Sequence, residues 1–198
     1  MNLLHIMSSP KGDHSFSKKL GNAIIDALLE KYPGSTVQER DLAKHPFPHL
    51  EEAQITSFYT PPESRTPAMM DALKHSDEVV AQVMAADIVV IDAPLYNFGI
   101  TSLLKSWIDH LTRVGVTFRY TAGGAEGLVK GKQVYLSIAS GAIYSEGPFE
   151  SYDFTEPYLR TILGFLGMTD ISTYRVEGIN MPSLKDTALK KAIRTIRV

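Results

Sequence analysis

Asp87-Ile88-Val89-Val90-Ile91 is the stretch whose reading decides the fold. Its apolar run is unbroken. A half-buried strand alternates apolar and polar residues, whereas a central parallel strand covered on both faces reads as a continuous hydrophobic run. Upstream, about Ala68 to Ala85 carries Val79, Val80, Val83 and Met84 on one side and is expected to be a helix. Downstream, Pro94-Leu95-Tyr96-Asn97-Phe98-Gly99 reads as a loop, and Leu103, Leu104, Trp107, Ile108 and Leu111 form a further helical stripe. A helix, a buried strand, a loop and a helix are one segment of a parallel α/β alternation.

The alternation extends in both directions. Leu3 to Met7 is strand-like, Ser8 to Ser15 is a loop, and Phe16, Leu20, Ile24, Ala27 and Leu28 lie along one helical stripe stopped by Pro33-Gly34. Thr36 to Arg40 resembles a more exposed strand. Ala43 to Pro67 contains Pro46, Pro48, Pro61, Pro62 and Pro67 and is expected to be a long surface excursion, with a short helix around Leu50 to Phe58. Val116 to Gly131 reads as a second excursion containing a hairpin. Gln133 to Ala139 and Ile171 to Val176 are strand-like. Tyr158, Ile162, Phe165 and Leu166 mark a helix closed by Gly167, and Leu189, Ile193 and Ile196 mark a C-terminal helix.

The expectation is one domain, residues 1–198, of class α/β: a doubly wound five-stranded parallel sheet with helices on both faces. Right-handed crossovers with the first and third strands central give the order 2-1-3-4-5. Ligands of such sheets sit outside the carboxyl ends of the strands, where the winding reverses. That point lies between Ser8–Ser15 and Pro94–Gly99.

Composition removes several classes of function. The 198 residues include no cysteine, which excludes thiolate metal centres and cysteine nucleophiles. Twenty basic against 22 acidic side chains argue against an electrostatic nucleic-acid binder. No apolar run reaches the roughly 18 residues of a membrane span, and Met1 to Met7 lacks the basic leader of a signal peptide. A cytoplasmic protein is expected, with neither nucleic acid nor membrane as partner. The six histidines have no metal-ligand spacing.

Three loops at the expected rim carry the chemistry. The first places Ser9, Ser15 and Ser17 around a helix start, where free N–H groups and the helix dipole suit a phosphate. Ser15 is equally a simple N-cap. No G-x-G-x-x-G is present, and Gly127 to Gln133 falls one residue short of a nucleotide-binding P-loop. The second loop sets Tyr96 and Phe98 beside Asn97 and Gly99, a combination that suits a flat heteroaromatic ligand. The third, Ala139-Ser140-Gly141-Ala142, is small enough for close backbone approach.

Met7 to Ser17, Pro94 to Phe98, Gly115 to Thr121 and Glu126-Gly127-Leu128 together resemble the FMN-dependent NADH azoreductase family, flavodoxin-like NAD(P)H:quinone oxidoreductases, over essentially the whole chain. The resemblance implies FMN phosphate at Ser9, Ser15, Phe16 and Ser17. It implies the isoalloxazine ring along Pro94, Leu95, Tyr96, Asn97 and Phe98 and along Ala139, Ser140, Gly141 and Ala142. Phe118 and Tyr120 are candidates for the substrate pocket. The family's second loop usually has methionine where this chain has Leu95, and its third loop usually reads Ser-Arg-Gly-Gly. The resemblance further implies a homodimer with sites at the interface, NADH or NADPH as hydride donor, a quinone or azo acceptor, and a two-step cycle needing no catalytic side chain.

Two other classes of function fit the sequence less well. A serine hydrolase needs a histidine to activate its nucleophile, but no histidine follows His110 and no G-x-S-x-G is present. A non-enzymatic flavodoxin-like electron carrier is usually strongly acidic for docking, unlike a chain of net charge −2.

Overall fold

The computed structural model describes all residues, 1–198. Its main sheet consists of β1 (Asn2–Met7), β2 (Thr36–Asp41), β3 (Ile88–Pro94), β6 (Gln133–Ala139) and β7 (Asp170–Val176). The order is β2-β1-β3-β6-β7 and every pairing is parallel. Counting only these strands, that is the expected 2-1-3-4-5. All seven residues of β3 are buried, as its continuous apolar run requires of the central strand.

The pleat sends alternate residues to two cores. Leu3, Ile88, Val90 and Tyr135 face α1 (Phe16–Lys31) and α6 (Ala188–Arg194). Leu4, Ile6, Val89, Ile91, Val134 and Leu136 face the other way, against α3 (Pro67–Ala85), α4 (Ser102–Leu111) and α5 (Glu156–Leu166). Local chemistry sets the helix ends. Thr66 and Thr101 accept the main-chain N–H groups of Met69 and Leu104 at 3.3 and 3.2 Å, and Gly167 closes α5 at φ 103°.

Two expectations need amendment. The segment between β2 and α3, expected to be a surface excursion, is anchored in the core by Leu42, Phe47 and Phe58. Phe47 packs edge-on to His75, and His110 Nε2 lies 3.0 Å from the Pro48 carbonyl. The prolines mask this docking because they remove the periodicity by which buried segments are recognised. Within it α2 (Glu52–Tyr59) forms at the place expected for a short helix. The second excursion does contain a hairpin, β4 (Phe118–Thr121) with β5 (Gly124–Gly127). The hairpin is pressed onto the end of α5: a Cβ on Gly127 would stand 2.2 Å from the Gly167 nitrogen. No helix is long and apolar enough to cross a membrane.

Candidate functional site

Parallel strands in register end together, so their following loops share a rim. Met7 pairs with Asp92, Pro94 with Ala139, and Ala139 with Val176. The loops after β1, β3, β6 and β7 enclose a cleft of about 170 Å³ there. Ser9, Lys11, Ser15 and Phe16 form one wall, Pro94, Leu95 and Tyr96 a second, and Ala139, Ser140 and Gly141 a third. Ile179 and Asn180, after β7, close the fourth side.

The first wall is built for an anion. Ser15 caps α1, its Oγ accepting the Lys18 N–H at 3.4 Å, and lies 3.0 Å from Ser17 Oγ. Ser15 and Ser17 are both buried. The main-chain N–H groups of Phe16 and Ser17 have no acceptor within the chain, as the first turn of a helix dictates. Two serine hydroxyls, two free amides and the positive end of a helix dipole converge on one spot. Capping and anion binding are therefore compatible at Ser15. Lys18 turns outward to Asp13 at 2.9 Å, which holds that carboxyl below the ordinary aspartate range.

The second wall is a tight turn. Tyr96 and Gly99 exchange main-chain hydrogen bonds of 2.9 and 3.0 Å around Asn97 and Phe98, whose φ values are 50° and 70°. Asparagine tolerates this region, whereas a phenylalanine there is strained. The turn is held because Phe154 N–H donates to the Phe98 carbonyl at 2.9 Å. The third wall is pinned from β7 and the loop after it. Ser140 N–H donates to Val176 and Asn180 N–H to Gly141, both at 3.0 Å. A Cβ on Gly141 would meet Asn180 Nδ2 at 2.7 Å, so the loop must stay small.

Ten of the thirteen residues expected around FMN thus line the cleft or, for Ser17, lie directly beneath its wall. Asn97 and Phe98 stand exposed at the tip of the second wall. Ala142 borders an adjoining depression with Ile143, Phe149 and Met181. Phe118 and Tyr120 are not brought to the cleft. Phe118 is buried with its ring 4.7 Å from that of Phe165, and Tyr120 is 68% exposed on the hairpin. The two stand two apart on β4 and share a face, their rings 5.5 Å apart and edge-on. Phe118, however, lies opposite Gly127 where the hairpin packs on the end of α5, whereas Tyr120 lies nearer the hairpin turn. Sequence reasoning missed Lys11, Ile179 and Asn180. The loop after β7 was discoverable, because every strand of a parallel sheet delivers its following loop to the same rim.

It also missed the segment between β6 and α5. A 3-10 turn over Gly147–Tyr152 brings Tyr144, Phe149 and Tyr152 together around Phe98. Arg175 of β7 fastens it, pairing with Asp153, with Glu156 at 2.5 Å and with Glu177 at 3.5 Å. Glu177 in turn accepts the N–H groups of Tyr144 and Ser145 at 2.8 and 3.0 Å. Burial alone would raise the pKa of Glu156, but hydrogen bonds from Thr173, Arg160 and Arg175 outweigh it and leave it lowered. Stability from this group is present above the ordinary glutamate range and is lost as pH falls through the lowered folded value. Glu156→Gln is expected to lower stability by about 1–2 kcal/mol at neutral pH. It should also flatten the acid side of the melting-temperature profile. An unchanged acid limb would show that Glu156 is not the linked group.

A doubly wound parallel sheet whose winding reverses at a cleft with a helix N-terminus on one side and an aromatic turn on the other defines the flavodoxin-like class. The profile of the family described as flavodoxin-like fold matches residues 1–198. The chain belongs to this family, within its FMN-dependent NADH:quinone oxidoreductase branch. It is 44% identical over 195 residues to the FMN-dependent NADH:quinone oxidoreductase of Herminiimonas arsenicoxydans, covering 98% of this chain and 96% of that one. The protein of the same name in Aromatoleum aromaticum is 46% identical over 181 residues, covering 91% and 89%. Among solved structures, an azoreductase from Bacillus anthracis superposes with a TM-score of 0.90 at 30% identity, covering 98% of this chain and 95% of that one. An FMN-dependent NADH-azoreductase from the same organism, in complex with FMN, gives 0.84 at 25% identity, covering 98% and 97%.

Proposed function

We propose that this protein is an FMN-dependent NADH:quinone oxidoreductase, also competent toward azo compounds, folded as one FMN-binding domain over residues 1–198. The observation that carries the reading is the composition of the cleft. Unsatisfied amides and serine hydroxyls stand at one end, and apolar, aromatic and small residues stand at the other. That division matches a ligand with a phosphate at one end and a planar ring at the other. Ser9, Ser15, Phe16 and Ser17 hold the phosphate. Pro94 to Phe98 and Ala139 to Ala142 flank the ring.

Bound flavin supplies reversible two-electron acceptance from a nicotinamide, a chemistry no side chain of this cysteine-free protein offers. The protein's own contribution is positional. The strained Asn97–Phe98 turn fixes one side of the ring, and the wall pinned by Asn180 keeps the other close. No side chain is required as nucleophile or general base. The overall reaction takes NADH or NADPH, a quinone and a proton to the oxidised nicotinamide and the hydroquinone. Donor and acceptor use the same space in turn, which is ping-pong order.

A second copy of the chain completes the site in this reading. The cleft is smaller than the roughly 300 Å³ at which ligand pockets begin. Exposed Phe98, Phe149, Tyr152 and Phe154 surround its outer side and Tyr120 stands on the hairpin, apolar surface of the kind interfaces cover. The same reading places the enzyme in the cytoplasm, with the nicotinamide donor.

Steady-state oxidation of NADH and NADPH by the FMN-loaded protein, with a quinone as acceptor, tests the activity. Turnover well above that of free FMN is expected, with parallel double-reciprocal lines as the quinone is varied. Converging lines would refute the shared-space order. Turnover equal to free flavin, or reduction only through a partner protein, would turn the assignment to an electron carrier.

A further inference from the structure

Between the sheet and α1 lies a polar seam in an otherwise apolar layer formed by Leu3, Leu20, Ile24, Ile88 and Val90. His5 of β1 meets Asp92 of β3, Nε2 to Oδ2 at 2.9 Å, with side chains 1% and 0% exposed. Ser137 of β6 donates its Oγ to the Ser17 carbonyl of α1 at 2.7 Å. Ser8, at the start of the first cleft loop, donates its Oγ to the Asp92 carbonyl at 2.6 Å. The second carboxylate oxygen, Asp92 Oδ1, is buried without a hydrogen-bond partner. Over it lies Gly21 of α1, where an added Cβ would stand 1.9 Å from that oxygen.

This arrangement is expensive. A buried carboxyl with an unsatisfied oxygen is less favourable than a well-packed apolar residue of the same size. What it provides is direction. Apolar contact is non-directional and leaves a helix free to slide on a sheet, whereas hydrogen bonds between named atoms fix its register. The seam sits under the first turns of α1, the same turns that present Ser15, Phe16 and Ser17 to the cleft. It also ties the loop after β1 to β3, and so the first wall of the cleft to the second.

We propose that His5, Asp92, Gly21 and Ser137 are positioning residues that set the height and register of α1 on the sheet and thereby place its N-terminal amides and serines on the FMN phosphate. The proposal rests on the FMN reading above. It assigns to this layer an effect on the phosphate end of the ligand and little effect on the ring end, whose walls belong to other loops.

The test compares FMN with riboflavin, which lacks the phosphate, in fluorescence-quenching titrations of the flavin-stripped protein. Wild type, Gly21→Ala, Ser137→Ala and the double variant Gly21→Ala/Asp92→Ala are used. Gly21→Ala should weaken FMN at least about tenfold and riboflavin less than about threefold, because only the phosphate contacts shift. The double variant should bind FMN more tightly than Gly21→Ala, since removing the carboxyl makes room for the new methyl, but less tightly than wild type, since it also loses the His5–Asp92 pair. Ser137→Ala adds no bulk, should weaken FMN selectively, and carries the test alone if Gly21→Ala does not fold. Should riboflavin bind too weakly to compare, recovery in the double variant decides. Equal losses for both flavins, an unaffected Gly21→Ala, or no recovery would overturn the proposal. Wild-type protein that binds no FMN would instead refute the cofactor reading itself.

Discussion

Ser15→Asp is expected to yield a folded protein that no longer retains FMN. Aspartate is as good an N-cap as serine, so the start of α1 survives the change. The new carboxylate, however, occupies the wall where Ser15 and the free amides of Phe16 and Ser17 converge. It satisfies those donors internally and sets a fixed negative charge against the phosphate. In a partly buried site, like charges in contact oppose one another by several kcal/mol at an effective dielectric near 20. FMN affinity should therefore fall by about a hundredfold or more, a loss of about 2.7 kcal/mol. Equilibrium dialysis with FMN measures it, and circular dichroism confirms the fold. Retention of stoichiometric FMN by the folded variant would remove the phosphate from this end of the cleft.

Trp107→Ala should produce the largest loss of stability. The indole is fully buried in the core between the sheet and α3, α4 and α5. Truncating a buried tryptophan costs about 3–5 kcal/mol, which for a chain of this length lowers the melting temperature by on the order of 10 °C. Trp107 Nε1 has no hydrogen-bond partner, so Trp107→Phe strands no acceptor and should lose much less. Thermal melts of the two variants check this. Equal losses would contradict this, because they would show that a phenyl ring restores none of the packing of the larger indole.

The architecture was legible because its signals are local and periodic. The unbroken run at Ile88–Ile91 could sit only in a covered parallel strand, and the stripe of Leu20, Ile24 and Leu28 could serve only a helix facing it. Trp107 on its stripe likewise pointed inward. The rim was legible by topology, since strand order alone brings Ser9, Tyr96 and Ser140 together. What stayed hidden depends on distant pairing. Phe47 is buried by a docked segment with no helical or strand period of its own. Asn180 matters because its N–H meets Gly141 from a loop 39 positions later. His5 and Asp92 are 87 residues apart and read separately as an ordinary polar residue in each strand. Phe118 and Tyr120 do share a face of β4, but that face packs on α5 and not on the cleft, a docking set by the close approach of Gly127 to Gly167 that no local pattern announces.

The most direct measurement of the central claim is a titration of FMN fluorescence with the purified, flavin-stripped protein. The account predicts quenching that saturates at one FMN per chain, with riboflavin bound more weakly because Ser9, Ser15 and the first turn of α1 hold only the phosphate. FMN fluorescence unchanged by a molar excess of folded protein would contradict it.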